Sequence, residues 1–99
     1  MLYMILGEDN ADSLSRRQAT RPAHLERVQA LQDQGRLVLA GPLPLADGPD
    51  STALGFSGSL IVAEFSDLAS AQNWAQADPY VSAGVYKQVT VKPFKQVLP

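Results

Sequence analysis

The 99-residue sequence contains no cysteine. That excludes a disulfide scaffold, a thiolate nucleophile and any zinc or iron–sulfur site built on cysteine. Histidine is almost as scarce: His24 stands alone, so no metal site can draw two histidines from one chain. Neither sign of charge dominates, since eight Lys and Arg face ten Asp and Glu, giving a net charge of -2 and a pI near 5.1. A general nucleic-acid binder needs a basic face, so nucleic acid is not the expected partner. Wholly apolar runs last only a few residues, too short for a membrane-spanning helix. The apolar start Met1-Leu2-Tyr3-Met4-Ile5-Leu6 has no basic residue before it and meets Gly7-Glu8-Asp9-Asn10 at once, unlike a secretory signal. Neither the Gly-rich phosphate loop with its lysine nor the dinucleotide fingerprint occurs, so no cofactor is expected. No serine lies in a nucleophile-elbow context.

What is present is ordinary for a globular chain: 45% hydrophobic and 18% charged residues. The length suits one domain, residues 1–99, that buries somewhat over ~60% of its unfolded surface. These features together predict a cytoplasmic single-domain protein. A first strand reads Leu2 to Gly7, closed by polar residues to Asp12. Ser13 to Ala19 reads as a short helical stretch. Pro22 then predicts a break, with Thr20 capping a second helix that runs to about Gln34 and ends at Gly35. Strands follow at Arg36–Ala40 and Ser59–Phe65, separated by a long Gly41 to Gly58 connection rich in Pro, Gly, Asp and Ser. A connection of that length predicts a functional loop, here a lid over one end of a pocket. Ser66 or Asp67 can cap a helix over Leu68 to Ala77, Asp78-Pro79 breaks it, Tyr80 to Ala83 makes one turn, and the last strand spans Val85 to Val97.

The order β-α-β-β-α-β is the ferredoxin-like arrangement, an α+β fold with both helices on one face of a four-stranded antiparallel sheet. The other face should alternate with polar residues if it meets water. Instead Leu2, Met4 and Leu6 alternate with Tyr3 and Ile5, Leu37 and Leu39 with Val38 and Ala40, and Leu60 and Val62 with Ile61 and Ala63. A second copy of the same sheet is the expected cover, which predicts a homodimer.

Few side chains can do chemistry. His24 is the one group with an unperturbed pKa near neutrality, and it shares a helix face with Val28 and Leu31. Spacing alone fits a boundary histidine bonded to backbone better than a catalyst, because an acid/base needs a carboxylate to fix its tautomer. Asp78 is held extended by Pro79, and its plain role is the N-cap of the turn after it; a capping carboxylate still has a second oxygen free. Arg21, one helical turn before His24, can bind an anionic group or simply lie exposed. Gly41 and Pro42 at a strand end can bring backbone N–H groups near a ligand or merely mark a turn. Tyr80 is a ligand contact or a packing residue, and Lys87, Lys92 and Lys95 read as a solvated edge.

The ordered set Arg21-Pro22-Ala23-His24-Leu25, Ala40-Gly41-Pro42, Gly55-Phe56-Ser57-Gly58-Ser59, Asp78-Pro79-Tyr80-Val81 and Val91-Lys92-Pro93-Phe94 resembles the YciI-like (YCII-related) proteins over essentially the whole chain. No single piece is specific; the ordered set is. The resemblance implies a ferredoxin-like protomer pairing sheet to sheet as a dimeric α+β barrel, in the superfamily of the muconolactone isomerases. It also implies an active site on a His–Asp pair, which falls on His24 and Asp78, with Arg21 secondary. It carries no established substrate, although a related lineage dehalogenates chlorinated lactones. The expectation is an enzyme of lyase, isomerase or dehalogenase type acting without cofactor on a small anionic organic molecule. The alternative is a dimer that binds a small ligand in the same pocket without turnover. A helix starting near Thr20 puts His24 far from Asp78 within one protomer, so the pair requires either a fold-back at Asp78-Pro79 or an aspartate from the second subunit.

Overall fold

A computed structural model describes residues 1–99. The elements are β1 (Leu2–Asp9), α1 (Leu14–Asp33), β2 (Leu37–Pro44), a 3-10 turn (Ser51–Leu54), β3 (Phe56–Glu64), α2 (Leu68–Gln76), α3 (Pro79–Ser82) and β4 (Tyr86–Phe94). The strands form one antiparallel sheet in the order β2-β3-β1-β4, the ferredoxin-like α+β arrangement. β1 is central and alternates along its length. Tyr3 and Ile5 are buried under the helices, while Leu2, Met4 and Leu6 point to the open face. Register places Ile5 opposite Ile61 and Val91, and Met4 opposite Val62 and Lys92.

The core is the layer between sheet and helices, where Tyr3, Ile5, Ile61, Ala63 and Phe65 meet Val28 and Leu31 of α1 and Ala71 and Ala75 of α2. Arg27 joins the two helices: its guanidinium lies 4.4 Å from the Trp74 ring centroid and donates to the Trp74 carbonyl at 2.8 Å. Asp67 caps α2 by accepting from the Ser70 backbone N–H at 2.7 Å. Gly35, at φ +71°, lies just past α1 where a left-handed residue is needed.

Three expectations are corrected. First, α1 is one helix of 20 residues that runs straight through Pro22. Proline removes the N–H that would meet the Gln18 carbonyl. Pro22 and Gln18 are both exposed, however, so solvent can reach that carbonyl, while buried residues on both sides of the break hold the two halves to one sheet. Second, β2 continues through Gly41 and Pro42 to Pro44, and β3 begins at Phe56, which shrinks the long connection to residues 45–55. Pro42 and Pro44 are admissible because β2 is an edge strand, as β4 is for Pro93. Third, β4 ends at Phe94, short of Val97.

Candidate active site

Leu14, Arg17, Arg21, His24, Val28 and Leu31 follow one another at spacings of three and four, which puts them on one face of α1. Val28 and Leu31 enter the core, but so do Arg17 and His24, at 5% and 8% exposure. The face of α1 that meets the sheet therefore changes from apolar to polar towards its N-terminal half. Buried polar groups need partners, and here each has a dedicated one.

The partner of His24 is Asp78. Pro79 holds Asp78 extended, at φ -62° and ψ 131°, and its carboxylate caps α3 by accepting from the Tyr80 N–H at 2.9 Å. α3 packs against α1. The same carboxylate reaches His24 Nδ1, at 2.8 Å from Oδ2 and 3.0 Å from Oδ1. The contact forms within one chain, because the break at Asp78-Pro79 turns back towards α1. His24 is also mid-helix rather than near a helix start, a consequence of α1 being continuous. The Tyr80 ring stacks on the imidazole, with centroids 4.0 Å apart and planes within 8°. In the neutral ring Nδ1 carries the proton and donates to Asp78, leaving the lone pair on Nε2. Nε2 has no protein partner and is not sealed in protein.

His24 lines a chamber of about 170 Å³ with Arg17, Arg21, Gly41, Pro42, Ser59 and Tyr80, closed on the apolar side by Leu25, Val28 and Ile61. Arg21, Gly41, Pro42 and Tyr80, singled out in the sequence, thus converge around His24, with Asp78 behind it. Gly41 and Pro42 do so from within β2, not from a strand end. The 45–55 connection does not close this chamber. Leu45, Leu54 and Gly55 border a separate, wider groove of about 790 Å³ beyond Glu8, Asp9 and Asp12. No group of three or more His, Asp or Glu side chains converges anywhere to hold a metal ion.

Arg17 was not legible as a site residue. Its Nε and Nη2 donate to Asp9 at 2.6 and 3.0 Å, and Nη2 also donates to Ser59 Oγ at 2.7 Å. The guanidinium carbon lies 5.2 Å from the Phe56 ring centroid and 5.0 Å from that of Tyr80. Burial pulls its pKa down, but Asp9 outweighs that and leaves it raised. The signal was the spacing Arg17-Arg21-His24, which places two arginines in the apolar stripe of a single helix. A break at Pro22 hides it. Tyr86 backs the cluster: burial pushes its phenol far above the ordinary range, against a weaker pull from Ser59.

Residues 1–95 match the family model for the YCII-related domain. The chain is 59% identical over 97 residues to Protein YciI of Escherichia coli O6:H1, covering 98% of this chain and 99% of that one. The chain belongs to the YCII-related family. An uncharacterized protein of Haemophilus influenzae is 46% identical over 97 residues, with the same coverage of both chains. Among solved structures, the 5-chloro-2-hydroxyhydroquinone dehydrochlorinase TftG of Burkholderia phenoliruptrix AC1100, in complex with 2,5-dihydroxybenzoquinone, superposes with a TM-score of 0.83. That match covers 96% of this YCII-related chain and 94% of the dehydrochlorinase at 24% identity, and it concerns the fold.

Proposed function

We propose that this protein is a cofactor-independent enzyme that transfers a proton on a small, anionic organic substrate. His24 acts through Nε2 as the base or acid, and Asp78 orients the ring and balances the imidazolium that forms. The observation that carries this reading is the pairing of both Asp78 oxygens with Nδ1 while Nε2 stays unpartnered at a chamber of about 170 Å³. A histidine kept only for packing has no need of a buried carboxylate on one nitrogen and an open cavity at the other. Arg21, Gly41, Pro42 and Tyr80 are the proposed substrate contacts. The reaction class is isomerisation or elimination, including loss of halide. The dehydrochlorinase with the same fold makes elimination the first class to test.

We also propose that a second copy covers the open sheet face. Leu2, Met4, Leu6, Leu60 and Val62 share that face, with Leu39 and Phe94 at 47% and 38% exposure on its two edge strands. The test of function is a screen of small chlorinated and unsaturated organic acids for proton exchange with solvent and for halide release, with His24→Gln and Asp78→Asn as controls. Turnover lost in both variants is the expected result. Binding without turnover across the screen, or turnover retained in His24→Gln, contradicts the enzyme reading.

A further inference from the structure

His24, Arg17 and Tyr80 line the chamber, and each keeps a polar atom that no carboxylate or backbone group of the protein satisfies. One is His24 Nε2. The second is Arg17 Nη1: Asp9 and Ser59 occupy Nε and Nη2 only. The third is the Tyr80 hydroxyl, which lies beside the Arg17 guanidinium and feels the charges of Arg17 and Arg21. Arg17 and Tyr80 are 5% and 2% exposed, and neither free atom is sealed in protein. A buried guanidinium fixed at two nitrogens with a third left over is a donor held in advance for something that enters.

The charges say what enters. Asp9 pairs with Arg17 and Asp78 with His24, which leaves Arg21 at the chamber for the negative charge of the substrate itself. When His24 takes a proton from the ligand, the site gains one positive charge and the ligand one negative charge. Fixed N–H and O–H donors are worth most where charge of that kind develops.

Resting on the proton-transfer reading above, we propose that Arg17 and Tyr80 form an oxyanion-binding end of the chamber, and that the substrate is a small carbonyl compound whose oxygen they hold. His24 Nε2 takes the proton from the adjacent carbon. The C–H bond breaks, an N–H bond forms at Nε2, and the electron pair moves to the carbonyl oxygen as an enolate. Return of the proton at a neighbouring carbon completes an isomerisation, and departure of halide completes an elimination.

The probe is 4-nitrophenol, whose visible spectrum reports whether it is bound as phenol or phenolate, with nitrobenzene as the neutral comparison. The wild-type protein should bind the phenolate at least about tenfold more tightly than nitrobenzene, as a charge-assisted hydrogen bond to a buried arginine requires. The guanidinium NMR signals of Arg17 should move with saturation. Tyr80→Phe keeps the ring stacked on His24 and should weaken the preference severalfold. Arg17→Gln combined with Asp9→Asn, which leaves no unpaired buried carboxylate, should abolish it. If that pair of substitutions does not fold, the wild-type guanidinium signals decide alone. Equal binding of phenolate and nitrobenzene, or saturation without movement of the Arg17 signals, overturns the proposal. These readouts need no turnover, so an absence of proton transfer in the substrate screen leaves them standing. Turnover without phenolate preference removes this inference alone.

Discussion

Asp78 carries two loads with one carboxylate: it caps α3 through the Tyr80 N–H and holds His24 Nδ1. Asp78→Ala should therefore cost about 1–3 kcal/mol in urea unfolding, from the lost cap and a buried imidazole N–H left without acceptor. Asp78→Asn keeps a capping oxygen and should cost less; equal losses would show that the cap contributes nothing. At the other end of the site, the phenols of Tyr80 and Tyr86 are both raised by burial. Raised in the folded state, they stay protonated where the unfolded chain's tyrosines, near ~10, already ionise. The unfolded chain then binds fewer protons, so the stability they contribute is present below that pH and falls as pH rises above it. Alkaline titration of the unfolding free energy should show this decline, and Tyr86→Phe should flatten it. His24 and Asp78 were legible at this scale because one histidine and one Asp-Pro step stand out in so small an inventory. Arg17 was not, because arginine in an acidic chain reads as surface until its helix is known to be continuous.

At the scale of elements, the strands were legible from alternation along β1 and the breaks at Gly35 and Gly84, whereas Gly58 suggests a break and lies inside β3. The helix was not, since local chemistry at Pro22 argues for a break and only burial on both sides of it argues against. Pro22→Ala restores the missing donor without changing the buried stripe, so it should stabilise the protein by about 1–3 kcal/mol in denaturant unfolding. A loss of stability would mean that the helix depends on the geometry proline imposes. Gly7 shows the converse, a small residue demanded by tertiary packing. A Cβ there would clash with the hydroxyl end of the Tyr86 ring, and one on the neighbouring β3 glycine, Gly58, would clash with the Gly7 carbonyl oxygen. Gly7→Ala should destabilise by about 1–3 kcal/mol and disturb the resonances of Tyr86. Residues 41–44 read as loop because Gly41, Pro42 and Pro44 suggest turns, whereas on an edge strand the missing proline N–H groups are tolerated.

For the whole molecule, the open sheet face governs the expected behaviour. Half-buried Leu2, Met4, Leu6 and Leu60, together with Leu39, Leu43 and Phe94 at 37–47% exposure, would be an aggregation hazard on a lone protomer. A sheet-to-sheet pairing should bury on the order of 1,000 Å² or more in total. Sedimentation at micromolar concentration should give a dimer, and Leu60→Asp, at the centre of that face, should shift it to monomer. A wild-type monomer would contradict the pairing. The apolar character of both faces was visible in the sequence of three strands; the edge positions of β2 and β4 were not, since those depend on the strand order of the folded sheet.

The central claim is that Asp78 fixes the proton of His24 on Nδ1 and leaves Nε2 as the reactive nitrogen. Nitrogen-15 NMR of the imidazole reads this directly. In the wild-type protein with the ring neutral, the account predicts a protonated Nδ1 and an unprotonated Nε2. In Asp78→Asn, an amide oxygen that keeps capping the Tyr80 N–H turns its NH2 group towards Nδ1, which should invert the two nitrogens. A wild-type ring protonated on Nε2, or a pattern that Asp78→Asn leaves unchanged, would contradict the account.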